Sequence, residues 1–166
     1  MANPQPISAR LLNSQPTDRP PMNAPTLLDR NRVILCHFDS YSTALLFARY
    51  GDSVLSPAPL PASASAIPAP NDASEQYNPG AVLGAMVAQH GLDPAQLKLD
   101  DGFQAWVSSD SGAIRIHLAR FTTFEAPRQA IEPLGGLFKP ISEMRGMPMI
   151  ELNLMRQVFN LIMGGG

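Results

Sequence analysis

Two alternating segments near the middle of the chain give the clearest pattern of apolar and polar positions. Apolar side chains recur at every second position over 103–107 and again over 114–118, and a period of two is typical of β-strands. The residues between them, 108–112, are small and polar, as in a tight turn. The pattern therefore predicts a β-hairpin.

The same period assigns the hairpin side chains to two faces. The predicted core face carries Phe103, Ala105, Val107, Ile114, Ile116 and Leu118. The other face carries Gln104, Trp106, Ser108, Arg115, His117, Ala119 and Phe121. Because Trp and Arg are enriched at binding hot spots, Trp106, Arg115 and His117 form a candidate ligand or partner patch. The alternative is that a second layer of the fold, such as a helix over 42–50, simply covers Trp106.

An earlier structured segment spans residues 26–55. Residues 32–38 are an apolar run rich in β-formers, which predicts a strand. Asp39 is a common N-cap residue, and the apolar residues within 42–50 are spaced as on one side of a helix. The sequence therefore predicts a strand–helix unit that is too short to fold alone.

Helix start and stop signals divide the rest of the chain. Asn78 and Pro79 open a predicted helix that Gly91 closes. A short helical turn is expected over 93–97 and a short helix within 123–132, whereas 137–146 is expected to be irregular.

The last predicted helix, 148–163, has an unusually wide apolar arc. Its polar residues fall in one stripe, made of Asn153, Arg156, Gln157 and Asn160. Nearly all other positions are apolar, although a surface helix needs an apolar face only a little over ~100° wide. The helix is therefore either the central helix of the core or half of an interface. In the second case its contact residues are predicted to be Ile150, Leu154, Phe159 and Ile162.

Prolines predict two extended segments, because proline lacks an amide proton and biases its predecessor away from the α region. Of the 17 prolines, six lie in residues 1–25 and five in 57–70. Residues 1–25 are predicted to be an extended arm and 56–77 a Pro/Ala/Ser-rich linker. Leu60 and Ile67 could alternatively be anchors for the groove of a partner.

Composition excludes several classes of protein. With 12 basic and 14 acidic residues and a net charge of −2, the chain offers no broad basic field for nucleic acid. Cys36 is the only cysteine, so no internal disulfide forms. No apolar run reaches the roughly 18 residues of a membrane span, and we expect no secretory signal because residues 1–10 lack an apolar segment. We therefore expect a cytoplasmic protein.

No motif of catalysis, cofactor binding or metal binding appears. The three histidines, His37, His90 and His117, lack the helical spacing of a metal site. Cys36 and His37 are neighbours on a predicted strand, so they point to opposite faces, and Cys36 is expected in the core. The sequence predicts no catalytic residue, no metal and no cofactor.

Together these patterns predict an α+β fold: a small sheet built on the hairpin, several short helices and a long apolar C-terminal helix. The predicted organisation is an arm (1–25), a strand–helix unit (26–55), a linker (56–77) and an α+β domain (78–166). The expected function is that of a non-catalytic accessory or assembly protein, which contacts a protein partner or a second copy of itself. The alternative is a small-molecule-binding protein or enzyme with its site at Trp106, Arg115 and His117.

Overall fold

The computed structural model describes residues 24–71 and 75–164. The strands in these ranges are β1 (Asn31–Asp39), β2 (Ala44–Tyr50), β3 (Leu55–Ser56), β4 (Ser65–Ile67), β5 (Leu97–Leu99), β6 (Ala105–Ser109), β7 (Gly112–Phe121) and β8 (Gly136–Pro140). The α-helices are α1 (Ala24–Asp29), α2 (Pro79–His90), α3 (Arg128–Ile131) and α4 (Met149–Met163).

All of these strands belong to one mixed sheet with the order β4-β6-β7-β1-β2-β8. β3 pairs with β1 on the same side as the longer strand β2, and β5 pairs with β7 on the same side as the longer strand β6. β1 and β7 run parallel, and the other pairs are antiparallel. The fold is α+β as predicted, but the sheet is larger than the hairpin-based sheet expected from the sequence.

The sheet is buried on both faces, as alternate residues of β1 show. Ile34 and Cys36 belong to the core that α4 covers, and we call this side the α4 face. Val33 and Leu35 belong to a second core with residues of α1, α2 and α3, which we call the α2 face. A strand covered on both faces reads as a continuous apolar run, as residues 33–36 do.

The predicted register of the hairpin is confirmed. Ala105 pairs with Ile116 and Val107 with Ile114. All six residues of the predicted core face are buried in the core of the α4 face. His117 lies on the opposite side of the sheet, but the second layer of helices means that this side is also buried.

The helix predicted over 42–50 is wrong, because Ala44–Tyr50 forms β2. Leu45 and Phe47 are buried on the α4 face, whereas Ala48 is buried on the α2 face. An apolar segment buried on both sides has no polar alternation, so its spacing does not separate helix from strand. Pairing with β1, which directly precedes it, and with β8, which lies far away in sequence, decides the outcome.

Two further expectations change in the last third of the chain. Residues 137–146 are not wholly irregular, because Gly136–Pro140 forms β8 at one end of the sheet. Lys139 and a terminal proline suit such an edge strand. The helix expected within 123–132 is reduced to Arg128–Ile131.

Local capping signals place α2 correctly. The side chain of Asn78 accepts a hydrogen bond from the backbone N–H of Ala81 at 3.0 Å. Gly91 ends the helix in the left-handed conformation, with φ of 67°, which glycine adopts without steric cost. α4 likewise begins directly after Pro148, close to its predicted start.

Of the two predicted proline-rich segments, the second lies mostly within the described residues and the first lies mostly outside them. The arm predicted over 1–25 lies outside the described residues except for its last two positions, which begin α1. Residues 56–71 are held against the sheet, because β4 pairs with β6 and the guanidinium of Arg32 donates to the carbonyl oxygen of Pro59 at 3.3 and 3.4 Å. Leu60 packs on the core of the α4 face, so it anchors this segment to its own chain.

Candidate functional site

Trp106 and Arg115 of the predicted patch lie directly opposite each other on β6 and β7. The guanidinium carbon of Arg115 is 5.6 Å from the centroid of the indole ring, a cation–π contact. The indole is only 4% exposed, and the ring of Tyr77 packs edge-on against it at 4.7 Å. Tyr77, rather than a helix over 42–50, therefore covers Trp106, and the indole positions Arg115 from inside the fold.

His117 is held by a hydrogen bond that fixes its tautomer. Nε2 of His117 lies 2.8 Å from Oδ1 of Asn31. The amide nitrogen of Asn31 donates to the carbonyl oxygens of Leu27 at 2.9 Å and Gln76 at 2.8 Å, which fixes the orientation of the amide. Because Oδ1 can only accept, Nε2 of His117 carries the proton and Nδ1 carries the lone pair.

The surroundings of His117 keep its imidazole neutral. Burial, and secondly the nearby Arg115 cation, lower the pKa of His117 from 6.5 to about 3. Both effects disfavour a second positive charge in this place. At neutral pH the ring therefore presents Nδ1 as a hydrogen-bond acceptor.

A cavity of about 260 Å³ opens beside these two residues, between the start of α2, the loop after β5 and β7. Its polar lining consists of Asp100, Asp101, Gln104, Arg115 and His117. Nη1 of Arg115 donates to the carbonyl oxygen of Tyr77 at 3.1 Å. Nε of Arg115 is buried and has no hydrogen-bond partner within the described part of the chain. Trp106 does not line the cavity, so the predicted patch is only partly assembled there.

Two larger clefts lie at the edge of the sheet where the parallel strands β1 and β7 end. They have volumes of about 790 and 770 Å³ and share Thr123 and Phe124. Tyr41 lines the larger one. Tyr41 is 90% exposed and Phe124 is 77% exposed, whereas aromatic side chains are mostly well buried in folded proteins. We call this larger cleft, with its two exposed rings, the aromatic cleft.

Short loops present the two rings of the aromatic cleft. The carboxylate of Asp39 accepts the backbone N–H of Tyr41 at 2.9 Å in the turn between β1 and β2, and this bond lowers the pKa of Asp39. Phe124 lies just after β7, where the hydroxyl of Thr123 donates to the carbonyl oxygen of Glu125 at 2.6 Å. Sequence reasoning missed both rings. The available signal was a single aromatic residue in each of the two short loops, 40–43 and 122–127.

The four α4 residues predicted to contact a partner lie in different surroundings. Leu154 is 4% exposed and belongs to the core, so it faces its own chain. Ile150 and Ile162 are half-buried against the same core. Phe159 is 37% exposed. The wide apolar arc of α4 is therefore used mainly within the chain, with Phe159 on the border of the solvent-facing side.

Glu151 is a buried carboxylate that the sequence did not single out. It is 1% exposed and lies in the first turn of α4. The carboxylate accepts the hydroxyl of Ser53 at 2.9 Å and the backbone N–H of Val54 at 2.8 Å. Burial raises the pKa of Glu151, although these two hydrogen bonds oppose the shift. Glu151 therefore ties α4 to the chain between β2 and β3.

Cys36 and His37 lie on opposite faces of β1, as predicted. Cys36 is buried on the α4 face, and burial raises the pKa of its thiol to about 12. Nε2 of His37 lies 2.8 Å from the carbonyl oxygen of Thr123, so this nitrogen donates to the loop that carries Phe124. The thiol and the imidazole therefore do not form a nucleophile–base pair.

Within residues 24–71 and 75–164, no three His, Cys, Asp or Glu side chains are grouped so that they could hold a metal ion. In the same ranges no helix combines the length and apolarity needed to cross a membrane. No protein-family model matches this chain, and no curated protein matches it.

Proposed function

We propose that this protein is a non-catalytic accessory or assembly protein that binds another protein chain at the aromatic cleft. The observation that carries the proposal is the exposure of Tyr41 (90%) and Phe124 (77%) on the lining of one cleft. An aromatic side chain buries about 150–250 Å² when it is covered. Large aromatic anchors of this kind contribute most of the binding energy in many protein interfaces.

The composition of the cleft supports a protein as the ligand. Leu46 and Pro127 contribute apolar surface, whereas Asp39, Glu125 and Arg128 contribute charges of both signs. An apolar centre with a polar rim is the usual anatomy of a protein interface. Loops form a large part of the lining of this cleft of about 790 Å³. Loops on a rigid sheet commonly carry binding residues.

The two surfaces predicted from the sequence to contact a partner, α4 and the proline-rich arm, are not the main binding surface that we propose. Phe159 of α4 is a third exposed aromatic residue, but at 37% it is far more covered than Tyr41. A contribution of the proline-rich arm over 1–25 to partner binding stays a prediction. The partner is either a different protein or a second copy of this chain.

Comparative affinity purification tests this function. The full chain, tagged and expressed in its native cell, is compared with a Tyr41→Ser/Phe124→Ser double variant and with Leu137→Ser. Leu137 is a matched control because it is apolar, 57% exposed and located on the edge strand β8. We expect at least one protein to be retained by the wild type and by Leu137→Ser and lost from the double variant. Identical sets of retained proteins for all three chains would contradict the proposal.

A further inference from the structure

The cavity beside His117 has the features of a second binding site, separate from the aromatic cleft. It is small, at about 260 Å³, which is below the 300–1,000 Å³ typical of drug-sized ligands. A ligand that fits must therefore be small. Several polar groups of different charge converge on this space, and such convergence marks a ligand pocket rather than a gap in packing.

One group in the cavity is a fixed acceptor. Nε2 of His117 donates to Oδ1 of Asn31, so Nδ1 is the nitrogen of the ring that carries the lone pair. The ring cannot turn over without breaking this bond, because the amide of Asn31 is itself held by two backbone carbonyl oxygens. Nδ1 of His117 can therefore accept a hydrogen bond from a donor group of a ligand.

A second group is a cation with donor capacity to spare. Arg115 uses Nη1 on the carbonyl oxygen of Tyr77, while its Nε–H is buried without a partner within the described residues. Nε is closed off from solvent, so a carboxylate bound in the cavity would contact the terminal nitrogens of Arg115, which carry four N–H donors and use one of them on Tyr77. A carboxylate can also meet a guanidinium in a two-pronged geometry.

The acidic residues complete the pattern of charge. Asp100 is committed to its own turn, since it accepts the backbone N–H of Gly102 at 2.9 Å and lies 3.5 Å from Arg120. Asp101 is exposed at the lining of the cavity and acts electrostatically on Arg115. A ligand with only a negative charge would be repelled by Asp101, and one with only a positive charge would be repelled by Arg115.

We propose that this cavity binds a small zwitterion of the free α-amino acid type. Its carboxylate contacts the guanidinium of Arg115, and its ammonium group donates to Nδ1 of His117 and faces Asp101. Such a ligand satisfies the fixed acceptor, the spare donor and both signs of charge at once.

Nuclear magnetic resonance of the full chain tests the proposal with three matched probes. L-Alanine carries both charged groups, propionate lacks the ammonium group and ethylamine lacks the carboxylate. We expect L-alanine, or another member of a panel of free L-α-amino acids, to shift the Nδ1 signal of His117 saturably. Propionate and ethylamine should not do so at the same concentration. The absence of any saturable binder in the panel, or equal responses to all three probes, would overturn the proposal.

Three variants test the contacts assigned to the ligand. Asp101→Asn should weaken binding about twofold to fivefold, the range expected for an exposed charge contact. Asp110→Asn, an exposed acid in the hairpin turn with the same change of charge, should leave binding unchanged. Arg115→Gln should weaken binding about tenfold or more, because a charge-assisted hydrogen bond is lost. Equal affinities of wild type and Asp101→Asn would count against the assigned orientation of the ligand.

Discussion

Glu151 connects α4 to the sheet through a carboxylate that has no cation partner among the described residues. Its two acceptor oxygens satisfy the hydroxyl of Ser53 and the backbone N–H of Val54. Leaving a buried donor unsatisfied costs about 1–3 kcal/mol. We therefore expect Glu151→Ala to lower the free energy of unfolding by about 2–4 kcal/mol, measured by urea denaturation.

The control for this prediction is Glu143→Ala. Glu143 forms an exposed ion pair with Lys139 at 3.4 Å, and exposed pairs contribute about 0–1 kcal/mol. If both alanine variants lose the same small amount of stability, the buried carboxylate does not hold α4 as described.

The raised pKa of Glu151 also predicts a pH dependence. The folded chain holds this proton more tightly than the unfolded chain, in which the pKa is near its ordinary value of 4.5. The contribution of Glu151 to stability is therefore full below pH 4.5 and is lost as pH rises through the folded pKa. Unfolding of wild type and Glu151→Gln from pH 4 to 8 should show the wild type losing stability relative to the variant. A constant difference across this range would contradict the raised pKa.

His117 gives a spectroscopic prediction. Its imidazole should be neutral, with the proton on Nε2, from pH 7 down to about pH 4, since its pKa is lowered to about 3. Long-range ¹H–¹⁵N spectra of the side chain distinguish the two tautomers and the charged form. A midpoint near 6.5 would contradict the effect of burial and of Arg115 on the ring, and a proton on Nδ1 would contradict the contact with Asn31.

Among the secondary-structure elements, those with local signals were predictable from the sequence. Asn78 and Gly91 fix the ends of α2 through their own hydrogen bonding and conformation. β2 was not predictable in this way, because its identity depends on pairing with β1 and β8 on either side. The short edge strand β8 is defined by its pairing with β2, which lies far away in sequence and which no local pattern records.

α4 offers a comparison between its buried and exposed positions. Leu154→Asp should prevent stable folding or cost at least about 3 kcal/mol, because it places an unpaired charge in the core. Phe159→Asp should leave a folded, soluble protein, since that side chain is 37% exposed. Thermal unfolding monitored by circular dichroism compares the two. Similar losses in both variants would mean that the orientation of α4 on the sheet is wrong.

At the scale of the whole molecule, the sheet is covered on both faces, and this burial determines which of the predicted site residues can reach a ligand. The period of two correctly placed Trp106, Arg115 and His117 on one face, but it could not show that Tyr77 covers the indole. The aromatic cleft was beyond sequence reasoning for a different reason. Tyr41 and Phe124 are brought to one edge by the parallel pairing of β1 with β7, which no local pattern encodes.

The central claim is that Tyr41 and Phe124 contact another protein chain. Site-specific photo-crosslinking in the native cell tests it most directly, with p-benzoylphenylalanine replacing Phe124 in one chain and Leu137 in the control. We predict a crosslinked product of defined mass from position 124, with a single partner protein identified by mass spectrometry, and no such product from position 137. No product at position 124, or the same products from both positions, would contradict the claim.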